Sequence, residues 1–219
     1  MTGVSYEKEG IPIPKQTFHN LPAEKKDKII RAALEEFTER TFTEASIACI
    51  VRASGIPRGS FYQYFDDKMD LYKHLFTLVS EEKMAYFKDV FDMAGETGFF
   101  GTYSRIMEAG LRFNMDNPGY GKLGMNFFAE TSEFKKAVSG EKMEDAAGIF
   151  RHLLGCGMEK GEIRRDIDLD LWAYLICQLQ FSIGEYCMGK DCGMDDVVLK
   201  IQEMLDVLKH GLSMQGGET

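Results

Sequence analysis

The chain has 219 residues with a net charge of −9, and 44% of its residues are hydrophobic. This composition is typical of a globular protein and excludes a disordered or fibrous one. The longest apolar run, residues 171–177, is too short to span a membrane, and residues 1–10 lack the basic and apolar blocks of a signal peptide. We therefore expect a cytoplasmic protein with no membrane partner.

The negative charge is unevenly distributed. Residues 1–75 carry 11 basic and 11 acidic side chains, whereas residues 76–219 carry 15 basic and 24 acidic ones. A strongly acidic protein is normally a poor partner for nucleic acid, but a neutral first segment allows local basic patches. Overall charge therefore does not exclude DNA binding.

The spacing of apolar residues predicts an all-α fold. Apolar residues recur three and four positions apart, and no segment shows the sustained alternation that indicates a strand. Residues 1–22 contain three prolines and no helical stripe until the next segment begins, so we expect a flexible N-terminal arm. Residues 23–75 should form one small helical domain, and residues 76–219 a larger helical domain.

Three helices are predicted within residues 23–75, a longer one followed by two short ones. The first follows Pro22, and the second is capped by Ser46 and ends at Gly55, where glycine supplies a left-handed turn. The third runs from Arg58 to Phe65 with one aromatic face. Helix, glycine-containing turn and helix form a helix-turn-helix unit. A fourth helix should begin near Lys68, capped by one of the two preceding aspartates, and continue towards residue 93.

Beyond this unit, glycines and the absence of proline after residue 118 predict long uninterrupted helices. We expect them at residues 102–116, 119–130, 141–160, 168–188 and 195–212.

The segment 29–76 resembles the DNA-binding segment of the tetracycline-repressor (TetR/AcrR) family of bacterial transcription regulators. The resemblance rests on the turn Ala53-Ser54-Gly55-Ile56, on Gly59-Ser60, on the run Phe61-Tyr62-Gln63-Tyr64-Phe65, and on Lys68. It implies an N-terminal three-helix DNA-binding domain followed by a ligand-binding and dimerisation domain.

A short helix that buries two Phe and exposes Arg, Ser, Tyr and Gln is suited to the major groove. By the resemblance, Arg58 and Gln63 read base edges, and Ser60, Tyr62, Tyr64 and Lys68 bind phosphates. Gly59 leaves the helix start free of bulk. The predicted DNA-binding residues are Lys25, Ser46, Arg58, Gly59, Ser60, Tyr62, Gln63, Tyr64 and Lys68. The alternative for any one of them is a solvated helix surface.

The sequence departs from the family pattern in helix two. Thr41 stands where glycine is common and Ala45 where threonine is common, so Thr43 and Ser46 are expected to supply the turn and the cap. Ala48 occupies a position that is often polar in the family. Helix two should therefore contribute less to sequence readout.

Family members act as two-fold dimers on palindromic sites, which implies a homodimer here. Apolar stripes in the last two helices are the candidate interface, although the same stripes could pack inside one chain. The predicted interface residues are Leu175, Leu179, Val197, Ile201, Met204 and Leu208.

Residues 99–186 are rich in Phe, Tyr and Met, which suits a mostly apolar small-molecule effector, although such residues are more often core than pocket. The predicted ligand-binding residues are Tyr103, Met107, Phe113, Phe127, Phe128, Phe150, Tyr174 and Gln178.

The five cysteines, at positions 49, 156, 177, 187 and 192, form no C-x-x-C pair, so we expect reduced thiols, no metal and no cofactor. A metal or redox sensor built on the last four, with His152 one turn before Cys156, is a minor alternative.

The sequence thus predicts a repressor that binds a double-stranded palindromic operator as a homodimer and is released by a small molecule. One alternative is an architectural or partner-regulated DNA-binding protein without an inducer. The other is an all-helical enzyme, for which the chain shows no persuasive catalytic motif, so we expect no enzymatic activity.

Overall fold

The computed structural model describes residues 14–92, 94–139, 142–188 and 194–212, and within these ranges it is all-α. The described helices are α1 Gln16–His19, α2 Ala23–Glu39, α3 Ile47–Ser54, α4 Arg58–Tyr64, α5 Lys68–Asp92, α6 Ala94–Asp116, α7 Pro118–Ala129, α8 Ser132–Ser139, α9 Lys142–Glu159, α10 Leu169–Met188 and α11 Met194–Leu212. No helix in these ranges is long and apolar enough to cross a membrane.

The chain divides into two compact units between Leu78 and Val79. In the first unit α2 packs against α3, α3 against α4, and α4 against α1. The helix-turn-helix has the predicted local chemistry. The Ser46 side chain accepts a hydrogen bond from the Ala48 N–H at 3.2 Å, and Gly55 ends α3 with φ +68°.

The predicted N-terminal cap of the long helix is also present. The Asp67 carboxylate accepts the Asp70 N–H at 2.9 Å, and the Asp70 carboxylate accepts the Asp66 N–H at 3.0 Å. The two carboxylates thus satisfy backbone N–H groups on either side of the helix start, and the Asp67 cap fixes where α5 begins.

The expectation of a flexible arm over residues 1–22 is wrong for residues 14–22; residues 1–13 lie outside the described residues. Residues 16–19 form α1, and Phe18 is buried. Its ring lies 5.1 Å from Phe65, 5.3 Å from His74 and 6.1 Å from Tyr64, centroid to centroid. The single Phe18 side chain anchors this segment to the domain. A four-residue helix is too short to show a periodic apolar pattern in the sequence.

The second unit has an apolar core drawn from α5, α6, α9, α10 and α11, centred on Tyr103, Phe99, Leu154 and Ile176, all at most 2% exposed. The central pairings are α9 with α10 and α6 with α7 and α9, while α11 packs on both α6 and α10.

A glycine interrupts α6. Gly98 has φ +66°, and the Glu162 carboxylate accepts the Phe99 N–H at 2.7 Å. A Cβ on residue 98 would lie 2.4 Å from that carboxylate. Only glycine therefore combines this backbone conformation with the close approach of Glu162. The helix predicted over residues 102–116 begins earlier in the structure. Glu162, which is distant in sequence, caps its main segment at the Phe99 N–H.

Two helices were not predicted, α1 and α8. Both are short, at four and eight residues, and neither carries a long apolar stripe. The other four helices predicted in the second unit correspond to α7, α9, α10 and α11, and their predicted ends lie within one residue of the observed ends. The predicted first residue of α9, residue 141, lies outside the described residues.

Candidate functional site

The exposed edge of α4 contains four of the predicted DNA-binding residues. Arg58, Gly59, Tyr62 and Gln63 are exposed, and Ser60 is half-buried. Positions 58 and 62, like 59 and 63, are four residues apart and therefore lie on one face. This face presents a guanidinium, a phenol and an amide, which are groups that recognise base edges and phosphates.

The opposite face of α4 is apolar and buried. Phe61 and Phe65 are buried as predicted, but Tyr64 is only 5% exposed. Its ring packs on Phe18 from α1, and the Lys25 ammonium lies 5.9 Å from its centroid. The prediction of Tyr64 as an exposed phosphate contact is therefore corrected. Residues 61, 64 and 65 share one helical face, and that face points into the core.

Helix α1 holds the C-terminal end of α4. The Lys15 N–H donates to the Tyr64 carbonyl at 2.9 Å, the Lys15 ammonium donates to the Tyr62 carbonyl at 3.0 Å, and the Thr17 hydroxyl donates to the Gln63 carbonyl. Carbonyls in the last turn of a helix have no partner within the helix. The N-terminal segment satisfies three of them and places a cation at the negative end of the helix dipole.

The Lys68 ammonium is directed into the protein and not towards solvent. It donates to three backbone carbonyls of the α2–α3 loop, those of Phe42, Thr43 and Ala45, the last at 2.7 Å. It also lies 4.6 Å from the centroid of the Phe42 ring. Burial lowers the pKa of Lys68. The prediction that this ammonium binds a phosphate is corrected, because all three of its N–H groups are used inside the protein.

Lys68 and Glu36 together fix the loop before α3. The Glu36 carboxylate accepts the Ser46 N–H at 2.8 Å and pairs with Arg40. Thr43, expected to help the turn, contributes its carbonyl to Lys68. Ser46 caps α3 with its oxygen, and its O–H remains able to donate to a phosphate.

His74 lies on the inner face of α5, beside the aromatic cluster of α1 and α4. Its ring centroid is 5.3 Å from Phe18 and 6.1 Å from Phe65. Burial, together with a smaller effect of the nearby His19, lowers the pKa of His74 from 6.5 to about 4. The neutral imidazole is therefore the form that fits this cluster.

Most predicted ligand residues lie inside the second unit. Tyr103, Met107, Phe113, Phe127 and Phe150 are buried. Tyr103 stacks on Phe99 and meets Phe150 edge-on, so these rings pack against one another. Gln178 is half-buried. The Phe128 side chain lies outside the described residues.

Tyr174 is 55% exposed, which corrects its assignment to an enclosed ligand site. It lies one turn from Leu171 and beside Leu175 on α10, on the face turned away from the core. Sequence periodicity alone does not distinguish the two faces of α10, because both carry large apolar residues.

The predicted dimer residues divide between core and surface. Ile201 and Leu208 are buried within one chain, and Leu179, Val197 and Met204 pack partly against the same core. For Ile201 and Leu208 the prediction is wrong, because their stripe of α11 faces α6 and α10. Leu175 is exposed, as an interface residue should be.

An exposed apolar surface remains on α10 and α11. Its members share helical spacing and at least 36% exposure: Leu171, Tyr174, Leu175 and Tyr186 on α10, with Leu199 and Val207 on α11. We call these six residues the exposed α10–α11 face. The spacing of positions 171, 174 and 175 follows the helical period, but so does the spacing of the core stripe, and the sequence pattern therefore does not separate the two.

Cysteines show no sensor arrangement in the described part of the chain. Cys156 lies 3.7 Å from the His152 imidazole, Cys177 is buried, and Cys49 is half-buried. Among the described residues no group of three potential ligands could hold a metal. Cys192 and the Cys187 side chain lie outside the described residues.

Residues 29–75 match the family described as bacterial regulatory proteins, tetR family. The transcriptional regulator AcuR of Cereibacter sphaeroides is 30% identical over 156 residues, covering 66% of this chain and 68% of that protein. A TetR family regulator structure from Chloroflexus aurantiacus J-10-fl has a TM-score of 0.72 at 23% identity, covering 93% of this chain and 100% of that chain. The structure of FadR from Bacillus subtilis in complex with stearoyl-CoA has a TM-score of 0.71 at 18% identity, covering 84% of this chain and 98% of that chain. The two structural likenesses show the fold.

Lys68→Met is expected to lower the free energy of unfolding by about 1–2 kcal/mol, because three loop carbonyls lose their donor. Urea unfolding of the full chain measures this loss, with Lys73→Met on the same helix as the matched control. The slope of log affinity for DNA against log salt concentration should stay unchanged. A slope reduced by about one, with stability intact, would restore the phosphate role.

Stability should fall as the pH drops from 6.5 towards 4, because the unfolded chain binds a proton at His74 before the folded one does. The contribution of neutral His74 to the free energy of unfolding is fully present above pH 6.5. Its loss by pH 4 amounts to about 2 kcal/mol, because solvent screens the charge on a half-buried ring. Urea midpoints measured across this range test it. His74→Gln should flatten the pH dependence, whereas an equally steep dependence in that variant, or its disappearance in the control His210→Gln, contradicts the assignment.

Proposed function

Because the chain belongs to the TetR family of bacterial regulatory proteins and is a DNA-binding transcriptional regulator, we propose that it acts as a homodimeric repressor released from a palindromic operator by a small molecule. The observation that carries the proposal is the division of α4 into a buried aromatic face and an exposed edge of Arg58, Tyr62 and Gln63. The proposal includes action in the cytoplasm, because bacterial DNA lies there.

Each side chain on the exposed edge of α4 has a distinct role in the proposal. Arg58, in the first turn, donates two hydrogen bonds to guanine O6 and N7, and Gln63 pairs with adenine. Tyr62, supported edge-on by Phe61 at 5.3 Å, and Ser60 bind phosphates. Gly59 has open space where a Cβ would stand, so the α4 backbone can approach the DNA closely. Lys25 and the start of α3 at Ser46 add flanking phosphate contacts.

A second subunit is needed because seven residues of one recognition helix span only a few base pairs. The exposed α10–α11 face supplies the surface in the proposal. Large apolar side chains on two neighbouring helices favour isologous packing with the same face of a second copy. Leu175 is the predicted interface residue that belongs to this face.

Release by an effector follows from a shift between two arrangements of the dimer. Recognition helices reach successive major grooves when they are about 34 Å apart. A ligand that binds another arrangement more tightly lowers operator affinity by the difference in its binding free energies. FadR, a protein of the same fold, is bound to stearoyl-CoA, which supports an apolar effector in the second unit.

Arg58→Ala should relax specificity at one base pair of each half-site by about 1–3 kcal/mol. The measurement is selection of the preferred operator from random duplexes, followed by affinities for single-base variants. Arg112→Ala, an exposed arginine of the second unit, is the matched control and should leave specificity unchanged. Equal weakening on all sequences would instead assign Arg58 to a phosphate.

Placing a carboxylate on both helices of the exposed α10–α11 face, with Leu175→Glu and Val207→Glu combined, should convert a dimer into a monomer. Buried charges without partners cost several kcal/mol per ion, so association should weaken more than a hundredfold. Sedimentation velocity measures the change, and Met84→Glu, an exposed methionine on α5, is the control. A wild-type chain that sediments as a monomer, or a doubly charged variant that remains dimeric, would exclude this interface.

A further inference from the structure

A lysine occupies an inward-facing position of α5 in the second unit. Val79, Phe87 and Val90 are each at most 9% exposed and belong to the buried stripe of this helix. Lys83 falls in the same stripe, one turn after Val79 and one turn before Phe87, and its side chain is half-buried. An amphipathic helix normally carries an apolar residue at such a position.

The surroundings of Lys83 are mainly apolar. Its ammonium lies 5.7 Å from the centroid of the Phe87 ring, over the negatively charged face that favours cations. Phe87 is part of the same core cluster as Tyr103, Met107 and Phe150. Lys83 therefore places one cation beside a core cluster of aromatic and thioether groups, which are the groups that suit the apolar part of a small molecule.

Two other titratable groups lie in this region, Cys177 on α10 and Tyr103 on α6. Burial lowers the pKa of Lys83, whereas interaction with Cys177 raises it. Burial also raises the pKa values of Cys177 and Tyr103. The Tyr103 hydroxyl donates to the Ile176 carbonyl at 3.4 Å. Neither group is an anion at neutral pH, so neither neutralises the ammonium.

No carboxylate of the described residues forms an ion pair with Lys83 or raises its pKa. Taking an ammonium partly out of water without a counter-ion costs free energy, and pairing with an anion offsets that cost. Other lysines of the chain have such partners, as Lys28 has Glu24 and Lys200 has Glu203. Lys83 is therefore a cation whose partner is not supplied by the described protein.

We propose that Lys83 is the anchor for the anionic group of the effector, and that the effector is a small molecule with a carboxylate joined to an apolar chain. The carboxylate pairs with the Lys83 ammonium, and the chain packs among Phe87, Tyr103 and Met107. This inference deepens the proposed effector site and rests on it. It also explains why a position in a buried stripe of α5 carries a charge.

The test uses the full-length protein and straight-chain carboxylates, namely butyrate, hexanoate and octanoate, with octan-1-ol as the uncharged comparison. Calorimetric titration should show binding that tightens with chain length and is absent or at least about tenfold weaker for the alcohol. Lys83→Met should weaken octanoate binding about tenfold or more, because it removes the counter-ion and keeps an apolar side chain of similar length. Lys88→Met, an exposed lysine on the same helix, should bind octanoate as the wild type does.

Thermal unfolding of the same variants separates an anchor from a structural residue. Without ligand, Lys83→Met should unfold at the same or a higher temperature than the wild type, because an unpaired ammonium has been removed. A large drop would show that Lys83 stabilises the fold and would overturn the proposal. Equal octanoate affinity in Lys83→Met and wild type, or no binding of any carboxylate, would also overturn it.

Operator binding measured in parallel distinguishes this inference from the proposed function. If the chain binds its selected operator but no carboxylate, the Lys83 anchor fails and DNA binding stands. If octanoate binds through Lys83 without changing operator affinity, the anion site stands and release by this ligand fails. Support for both requires that octanoate weakens operator binding in the wild type and not in Lys83→Met.

Discussion

The shortness of the recognition helix is the constraint on which this structure depends. Seven residues are too few for a helix to be stable alone in water, so α4 must be held by its surroundings. Three aromatic side chains, Phe61, Tyr64 and Phe65, hold it from behind, and α1 satisfies its last carbonyls. The exposed edge is held in place for DNA because the opposite face of α4 is packed and its C-terminal carbonyls are capped.

The same requirement explains the chemistry around the neighbouring loop. Lys68 and Glu36, one cation and one anion, bind backbone groups of residues 42–46, where the sequence lacks the glycine and threonine common in the family. Hydrogen bonds to charged groups are stronger than neutral ones, and these hold the loop before α3 to α2 and to the start of α5. In the proposed complex Arg58 and Lys25 would supply the positive charge near DNA, since the Lys68 ammonium is engaged within the fold.

The second unit has a dense aromatic core, and three features depart from that pattern. Glu162 caps the main segment of α6 at Gly98, which joins the α9–α10 connection to α6. Lys83 introduces a cation into an otherwise apolar stripe. The exposed α10–α11 face presents large apolar side chains to solvent. The Glu162 cap shapes the domain. In the proposal, Lys83 binds the ligand and the exposed α10–α11 face binds the second subunit.

The sequence alone determined the all-α class, the family, the helix-turn-helix with its Ser46 cap and Gly55 turn, and the exposed edge of α4, because these depend on periodicity and on residues close together in the chain. The roles of six other side chains depend on how the helices pack in three dimensions: Phe18, Tyr64, Lys68, Tyr174, Ile201 and Leu208. Each of these side chains has a partner, or a solvent-facing side, set by packing between helices distant in sequence. A residue type fixes which interactions are possible, whereas its neighbours in space select the one that forms.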